Sequence, residues 1–119
     1  MKLYTIIKPD FEHHDDRGFL LQLVHDKFSQ FNIIFTKKGS ARGKHYHKTS
    51  LEAFYVISGS VEVTFELNDI VDVVRFKKGD FFSIPPLVKH GMLFLSDCLM
   101  AQLYDVPVEN NGVKDIYTQ

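Results

Sequence analysis

The sequence predicts an all-β protein folded as a jelly-roll barrel, and three observations carry that prediction. Its apolar residues fall in about nine runs of five to eight, rich in Val, Ile, Phe and Tyr and separated by turn formers. In SVEVTFEL (60–67), Val61, Val63, Phe65 and Leu67 alternate with Glu62, Thr64 and Glu66, the period of a strand with one wet face. No stretch sustains a helical period; only VHDKFSQ (24–30) could form a helical turn. Many short strands at regular spacing make a barrel or a sandwich. A jelly-roll barrel suits because its small interior accepts side chains from several strands around one pocket.

In chain order the strand runs are LYTII (3–7), GFLLQLV (18–24), FNIIF (31–35), AFYVIS (53–58), SVEVTFEL (60–67), IVDVVRF (70–76), DFFSI (80–84), GMLFL (91–95) and LMAQLY (99–104). Between the fifth and sixth, LND (67–69) reads as a hairpin turn. His13 and His14, in the acidic run FEHHDD, read as a solvated loop, with His25 similar and Lys37–Lys38 a solvated turn.

A chain of 119 residues with 45% hydrophobic and 24% charged residues and a net charge of −1 is an ordinary globular composition. It is expected to form one domain over residues 1–119. No repeat, low-complexity tract or linker divides it. There is no basic field to hold nucleic acid. The first sixteen residues hold an apolar run too short for a signal-peptide core or a membrane span, so cytoplasmic residence without a membrane partner is expected. The lone Cys98 lies inside an apolar run, which fits a reducing compartment and a small buried hydrophobe rather than a reactive thiol.

Chemistry concentrates in GSARGKHYHKTSLEAFYVISG (39–59). On an extended strand His45 and His47 project together, with Tyr46 opposite. Glu52 follows five residues after His47, far enough for the chain to turn and return a carboxylate from the start of the next strand. The spacing is G-x5-H-x-H-x4-E-x6-G. Downstream, GDFFSIPPLVKH (79–90) reads G-x5-P-x-L-x2-H, with Pro85 and Pro86 stiffening the approach to His90, which opens a new strand. Alone, an HxH pair is more often two exposed histidines on a wet face.

Together the two segments resemble the paired motifs of the cupins, small double-stranded β-helix jelly rolls. The first match is complete. The second has Leu87 where the pattern usually has glycine, which alters the turn, and Phe94 where it usually has asparagine, which makes one pocket wall more apolar. The resemblance implies that His45, His47, Glu52 and His90 converge inside the barrel as three nitrogens and one oxygen. Such a set suits a divalent transition metal, Zn, Mn, Fe or Ni, with open positions for water or substrate and no organic cofactor.

Residues 15 to 106 are further similar to nucleotide-sugar-modifying cupins: the dTDP-4-keto-6-deoxyglucose 3,4-ketoisomerases, the dTDP-4-dehydrorhamnose 3,5-epimerase group, and the cupin domain of capsular-polysaccharide reductases. Asp16, Arg17 and Gly18 match an Asp-Arg-Gly element, and Arg42 and Gly43 the Arg-Gly before the HxH. This implies a homodimer that isomerises or epimerises a nucleotide-linked 4-keto-6-deoxy sugar for surface polysaccharide. Such chemistry needs a base beside the carbonyl and a group that stabilises the enolate. His45 or His47 can be the base, since imidazole titrates near neutrality; a metal or a charged histidine can meet the enolate oxygen. Tyr55 and Tyr104 are candidate proton donors if they face inward, and Arg17 and Arg42 can hold a diphosphate. The ketoisomerases carry an Arg-x-Tyr-Tyr-like element where this chain has Asn32-Ile33-Ile34-Phe35. That departure shifts weight toward the capsular relatives, whose Arg-Gly-x-His-Tyr-His-Lys pattern matches RGKHYHK. The same pocket could instead serve a metal-dependent oxidising cupin, such as a dioxygenase, or a non-catalytic sugar-binding module.

Overall fold

Each of the nine apolar runs is a strand, because β-branched and aromatic side chains fill a pleated, half-buried surface well. The structure, a computed structural model, describes residues 2–118 and contains no helix among them. The strands matching the predicted runs are β1 (Thr5–Ile6), β3 (Gly18–Gln22), β4 (Gln30–Thr36), β6 (Glu52–Ser58), β7 (Ser60–Leu67), β8 (Ile70–Lys77), β9 (Phe81–Ile84), β10 (Lys89–Phe94) and β11 (Cys98–Tyr104). Four more complete the set: β2 (Phe11–Asp15), β5 (Ala41–His45), β12 (Glu109–Asn110) and β13 (Val113–Lys114). His13 and His14 are therefore in a strand, not a loop; they are solvated because all five residues of β2 are exposed in a ribbon paired only with β3.

Two antiparallel sheets form the body, one ordered β1-β9-β6-β11-β4 and the other β5-β10-β7-β8. Alternation turns Val61, Val63 and Phe65 of β7 and Met92 and Phe94 of β10 inward. Against them from the other sheet come Phe54 and Val56 of β6, Phe82 and Ile84 of β9 and Met100 of β11. Stacked rings bind this layer, with Phe76 and Phe82 3.8 Å apart between centroids. Burying side chains of this size contributes about 1.5–3 kcal/mol each. Cys98 is among the buried residues, as its apolar setting predicted.

The outer face of the five-stranded sheet is covered too over β9, β6 and β11. Ala53, Phe81, Ala101 and Leu103 pack there with Ile7, Leu23, Val24 and Phe28. So Val24 to Ser29 lies across a sheet as irregular chain where a helical turn was conceivable, and Gln30 opens β4. Two-sided burial explains why AFYVI and LMAQL read as nearly continuous apolar runs, whereas SVEVTFEL, with Thr64 and Glu66 exposed, alternates cleanly. The turn after β7 is built on Asn68 at φ 56°, a left-handed conformation that asparagine tolerates. Gly59, which closes the first histidine motif, has φ 88°, and a Cβ there would lie 2.1 Å from the Asp97 carbonyl oxygen. Only glycine fits that crossing.

Candidate functional site

Three local devices aim the donors of the two motifs at one point. The first is a bulge between β5 and β10: His45 pairs with His90 and Gly43 with Gly91, so Lys44 is the extra residue. Arg42 and His45 are an odd number of residues apart and would face opposite ways on a regular strand; the bulge turns both onto one cavity. Gly43 permits it, with φ 88° and space so tight that a Cβ would sit 2.9 Å from the His90 carbonyl oxygen. The second device is the loop from His47 to Glu52, which brings the carboxylate back at the start of β6, opposite Ile84 and Tyr104. The third is the turn before β10. Leu87 adopts φ 77°, the conformation that a glycine would supply, and its N–H donates to the His47 carbonyl at 2.6 Å. The turn is thus retained despite the leucine.

The result is a cluster in which ligand atoms of His45, His47, Glu52 and His90 all lie within 4.8 Å of one another. Glu52, His47 and His90 are buried, at 1–2% exposure, while His45 is half-buried. Glu52 Oε1 is 3.1 Å from His47 Nε2 and 3.0 Å from His90 Nε2. The opposite nitrogens face backbone carbonyls, His47 Nδ1 toward Asp115 at 2.6 Å and His90 Nδ1 toward Val88 at 3.1 Å. Burial works to raise the Glu52 carboxyl, but the two imidazoles beside it outweigh burial and hold it well below the usual carboxylate range. His47 shows the converse: burial lowers it, yet Glu52 and the Asp115 carbonyl leave it above its ordinary value. His45, pushed down by burial and then by His90, falls to about 4 and is neutral at pH 7.

These residues fit a metal. Donation from Nδ1 to a carbonyl leaves the Nε2 lone pair of a neutral ring pointing at the cluster. His90 Nε2 is fully buried and has no hydrogen-bond partner among the described residues, since its approach to Glu52 lacks hydrogen-bonding alignment. A buried lone pair beside a carboxylate calls for a cation between them, a proton or a metal ion. Bonds of about 2.0–2.2 Å to nitrogen and oxygen would put ligand atoms about 3–4 Å apart, the scale of this cluster.

A polar relay missed in the sequence supports the carboxylate. Gln102 Nε2 donates to Glu52 Oε2 at 2.6 Å and to the Tyr104 hydroxyl at 3.1 Å, and Asn32 Nδ2 donates to Gln102 Oε1 at 2.9 Å. Lone polar residues inside FNIIF and LMAQLY were its only sequence signal, and a buried polar residue in an apolar strand is informative. The stretch Asn32–Phe35 is therefore not wholly apolar toward the site. Ile34 lines the cavity, and Asn32 keeps a polar group behind it.

The cavity, about 210 Å³, is lined by His45, Glu52, His90, Gln102 and Arg42 over an apolar floor that includes Met92 and Met100. Arg42 is held by Thr36 Oγ1 at 2.7 Å. Other expected contributors lie elsewhere. Tyr55 projects from the opposite face of β6 onto Phe81, because an odd step from Glu52 reverses the side, so it is not a proton donor here. Arg17 sits at the exposed tip of the β2–β3 ribbon, bonded to Asp15 at 2.7 Å, and does not line the cavity. Tyr104 does reach the cluster, its ring 5.3 Å from His47 between centroids, but it buttresses that ring from behind the cavity wall. Burial, then the Glu52 charge, keeps its hydroxyl protonated far above neutrality. Phe94 belongs to the core and Met92 takes the wall position expected of it, because Phe94 lies two residues further along the inward face of β10.

A jelly roll with this histidine–glutamate cluster inside has the cupin fold. The chain belongs to the polysaccharide biosynthesis C-terminal domain family, whose model matches residues 13–100. No curated protein matches the sequence. Among solved structures, a variant of the 3,4-ketoisomerase QdtA from Thermoanaerobacterium thermosaccharolyticum, in complex with TDP-4-keto-6-deoxyglucose, is similar with a TM-score of 0.84 and 19% identity, over 100% of this chain and 89% of that one. The dTDP-4-dehydrorhamnose 3,5-epimerase from Sulfolobus tokodaii gives a TM-score of 0.70 and 22% identity, over 91% of this chain and 72% of that one. CapF, solved with the inhibitor 3-isopropenyl-tropolone, gives 0.68 and 24%, over 90% of this chain and 33% of that one, so this chain spans a third of CapF. At such identities the likeness establishes the shared fold.

Proposed function

We propose that this chain isomerises or epimerises a nucleotide-linked 4-keto-6-deoxy sugar in cytoplasmic synthesis of surface polysaccharide, with His45 moving the proton. The observation that carries the reading is the contrast among the histidines. His47 and His90 are buried, and each has one nitrogen held by a carbonyl and the other against Glu52. His45 lines the cavity, is neutral at pH 7 and makes no side-chain hydrogen bond among the described residues. A neutral imidazole facing the cavity accepts the proton from the carbon beside the sugar ketone and can return it elsewhere. The cavity is smaller than the ~300 Å³ at which ligand pockets commonly begin, so a sugar enters and the nucleotide stays outside. Arg42, at the wall and held by Thr36 and the Phe35 carbonyl, would offer its other N–H groups to a phosphate.

His47, Glu52 and His90 would hold a divalent ion, which when bound supplies a Lewis acid for the ketone oxygen. Incubation with TDP-linked 4-keto-6-deoxy sugars in deuterated water tests the function. Solvent deuterium should appear on a carbon next to the ketone. His45→Ala should abolish the label while retaining the metal measured by elemental analysis. No label from any such sugar ends the proposal, and loss of the metal along with the label reassigns His45 as a fourth ligand.

The working unit is proposed to be a homodimer. β4 is an edge strand whose outer face exposes Phe31, Ile33 and Phe35 at 54–60%, an apolar stripe that isolated domains seldom leave in water. A second copy fits because two such edges related by a two-fold axis present the same stripe and the same open backbone to each other. Light scattering should give twice the chain mass for the wild type and the chain mass for Ile33→Glu. A wild type that is already monomeric refutes it.

A further inference from the structure

We propose that Asp115 is a positioning residue for His47, and that the C-terminal segment carrying it is a working part of the site. Asp115 follows the β12–β13 ribbon, beyond the residues 13–100 that the family model matches. It grips the His47–Glu52 loop in two ways. Its carboxylate accepts three successive backbone N–H groups, Lys48 at 2.8 Å, Thr49 at 2.9 Å and Ser50 at 2.9 Å. Such a run of N–H groups forms a nest for an anion. Its backbone carbonyl accepts His47 Nδ1–H at 2.6 Å. One residue thus fixes both the loop's path and the orientation of the ring at its start.

The grip is anchored on either side. Asp115 N–H donates to the Val108 carbonyl at 2.7 Å, and Tyr46 and Tyr117 exchange backbone hydrogen bonds of 2.8 and 3.0 Å. Leu51, the next residue of the loop, donates its N–H to Asp105 Oδ1 at 2.8 Å. Every backbone N–H from Lys48 to Leu51 therefore ends on an aspartate from the segment after β11 begins to leave the sheet. With Nδ1–H committed to a carbonyl, Nε2 is the atom aimed at Glu52 and the cluster centre, donating to Glu52 Oε1 at 3.1 Å without a metal and free to give its lone pair to one. Histidine ligands elsewhere are commonly oriented in this way, and losing such support typically costs 10–100-fold in metal affinity.

The affinity consequence rests on the metal reading of the cluster; the orientation of His47 does not. Two measurements on the full chain keep them apart. Long-range 1H–15N spectra of the metal-free protein report the tautomer of each histidine. The wild type should show His47 Nδ1 protonated and hydrogen-bonded, and Asp115→Ala, whose loop no longer holds the ring against that carbonyl, should shift and broaden the Nδ1 signal while leaving His90 unchanged. Titration with Co(II) against a chelator then reads affinity and coordination. Asp115→Ala should bind about 10–100-fold more weakly with an altered visible spectrum. Asp115→Asn, which puts an NH2 group among the loop donors, should also weaken binding, whereas Asp80→Ala, which removes a comparable carboxylate cap from the Lys77 N–H, should not. An unchanged His47 Nδ1 signal in Asp115→Ala overturns the proposal whatever the metal result. Equal Co(II) affinity and spectrum in wild type and Asp115→Ala does so too. A wild type that binds no Co(II) overturns the metal reading alone, leaving the spectra to decide on Asp115.

Discussion

The two ends of the barrel interior are built on the same three strands yet do opposite work. Along the inward face of β6, Glu52 is followed by Phe54 and Val56; along β10, His90 by Met92 and Phe94; along β11 in reverse, Tyr104 and Gln102 by Met100. A step of two residues, about 6.6 Å of strand, separates a charged cluster from a dry aromatic layer. Backbone geometry alone does not distinguish the ends, because alternation places both sets of side chains inside. What differs is that one end is held by hydrogen bonds and charge around Glu52, with His90 Nε2 left over for a cation, while the other end is held by packing. Substitutions at the apolar end should therefore cost stability and spare the site, and those at the polar end should reach the site first.

The sharpest break of this comparison is Phe82→Ala. Phe82 is fully buried at the centre of the aromatic layer, against Phe76, Phe54 and Phe65. Truncating such a residue costs about 3–5 kcal/mol through lost transfer free energy and the cavity left behind. Urea unfolding should show that loss as a lower midpoint, while the fraction still folded binds Co(II) as the wild type does. Weakened metal binding by the folded fraction would show that the two ends are mechanically coupled.

This division also explains what the sequence could and could not disclose. The core strands were legible because β-branched and aromatic runs between turn formers have few other uses, and Val61, Val63 and Phe65 point inward as their alternation requires. The four-residue cluster was legible through the resemblance of the two motifs to the cupins, although His47 lies just past the end of β5 rather than on a strand shared with His45. β2 and β5 were not legible as strands, since FEHHD and ARGKH lack apolar alternation and pair in an exposed ribbon and beside a bulge. Tyr55, a candidate donor only if it faced inward, packs on Phe81 instead, since an odd step from Glu52 sets its side of β6. Asp115 carried no local signal at all, since its contacts span 65 to 68 residues of sequence.

At the polar end, Gln102→Leu tests whether the relay holds the carboxylate. The substitution removes the 2.6 Å bond to Glu52 and leaves Asn32 Nδ2 and the Tyr104 hydroxyl without that partner. Hydrogen bonds to charged groups contribute about 1.5–3 kcal/mol, so the loss of stability should fall below that of Phe82→Ala. Unlike Phe82→Ala, it should also weaken metal binding, by roughly tenfold, because an unsupported carboxylate is free to rotate. Full affinity in this variant would mean that His47 and His90 suffice to hold Glu52 in place.

The smallest effect, with the opposite sign, belongs to the turn between β9 and β10 at the polar end. Leu87 sits at φ 77° with its side chain 54% exposed, so it takes on left-handed strain without filling the core. Left-handed backbone costs a residue with a Cβ about 1–2 kcal/mol. Glycine escapes that cost but gives back about 0.5–1 kcal/mol through the greater freedom of the unfolded chain. Leu87→Gly should therefore stabilise the protein by about 0.5 kcal/mol, read as a small rise in melting temperature, with Co(II) affinity unchanged because the Leu87 N–H to His47 bond belongs to the backbone. A loss of stability would show that the leucine side chain contributes packing worth more than its strain. A change in affinity would mean that the strained turn itself sets the distance between His47 and His90, joining the polar end to its fold more tightly than hydrogen bonds alone require.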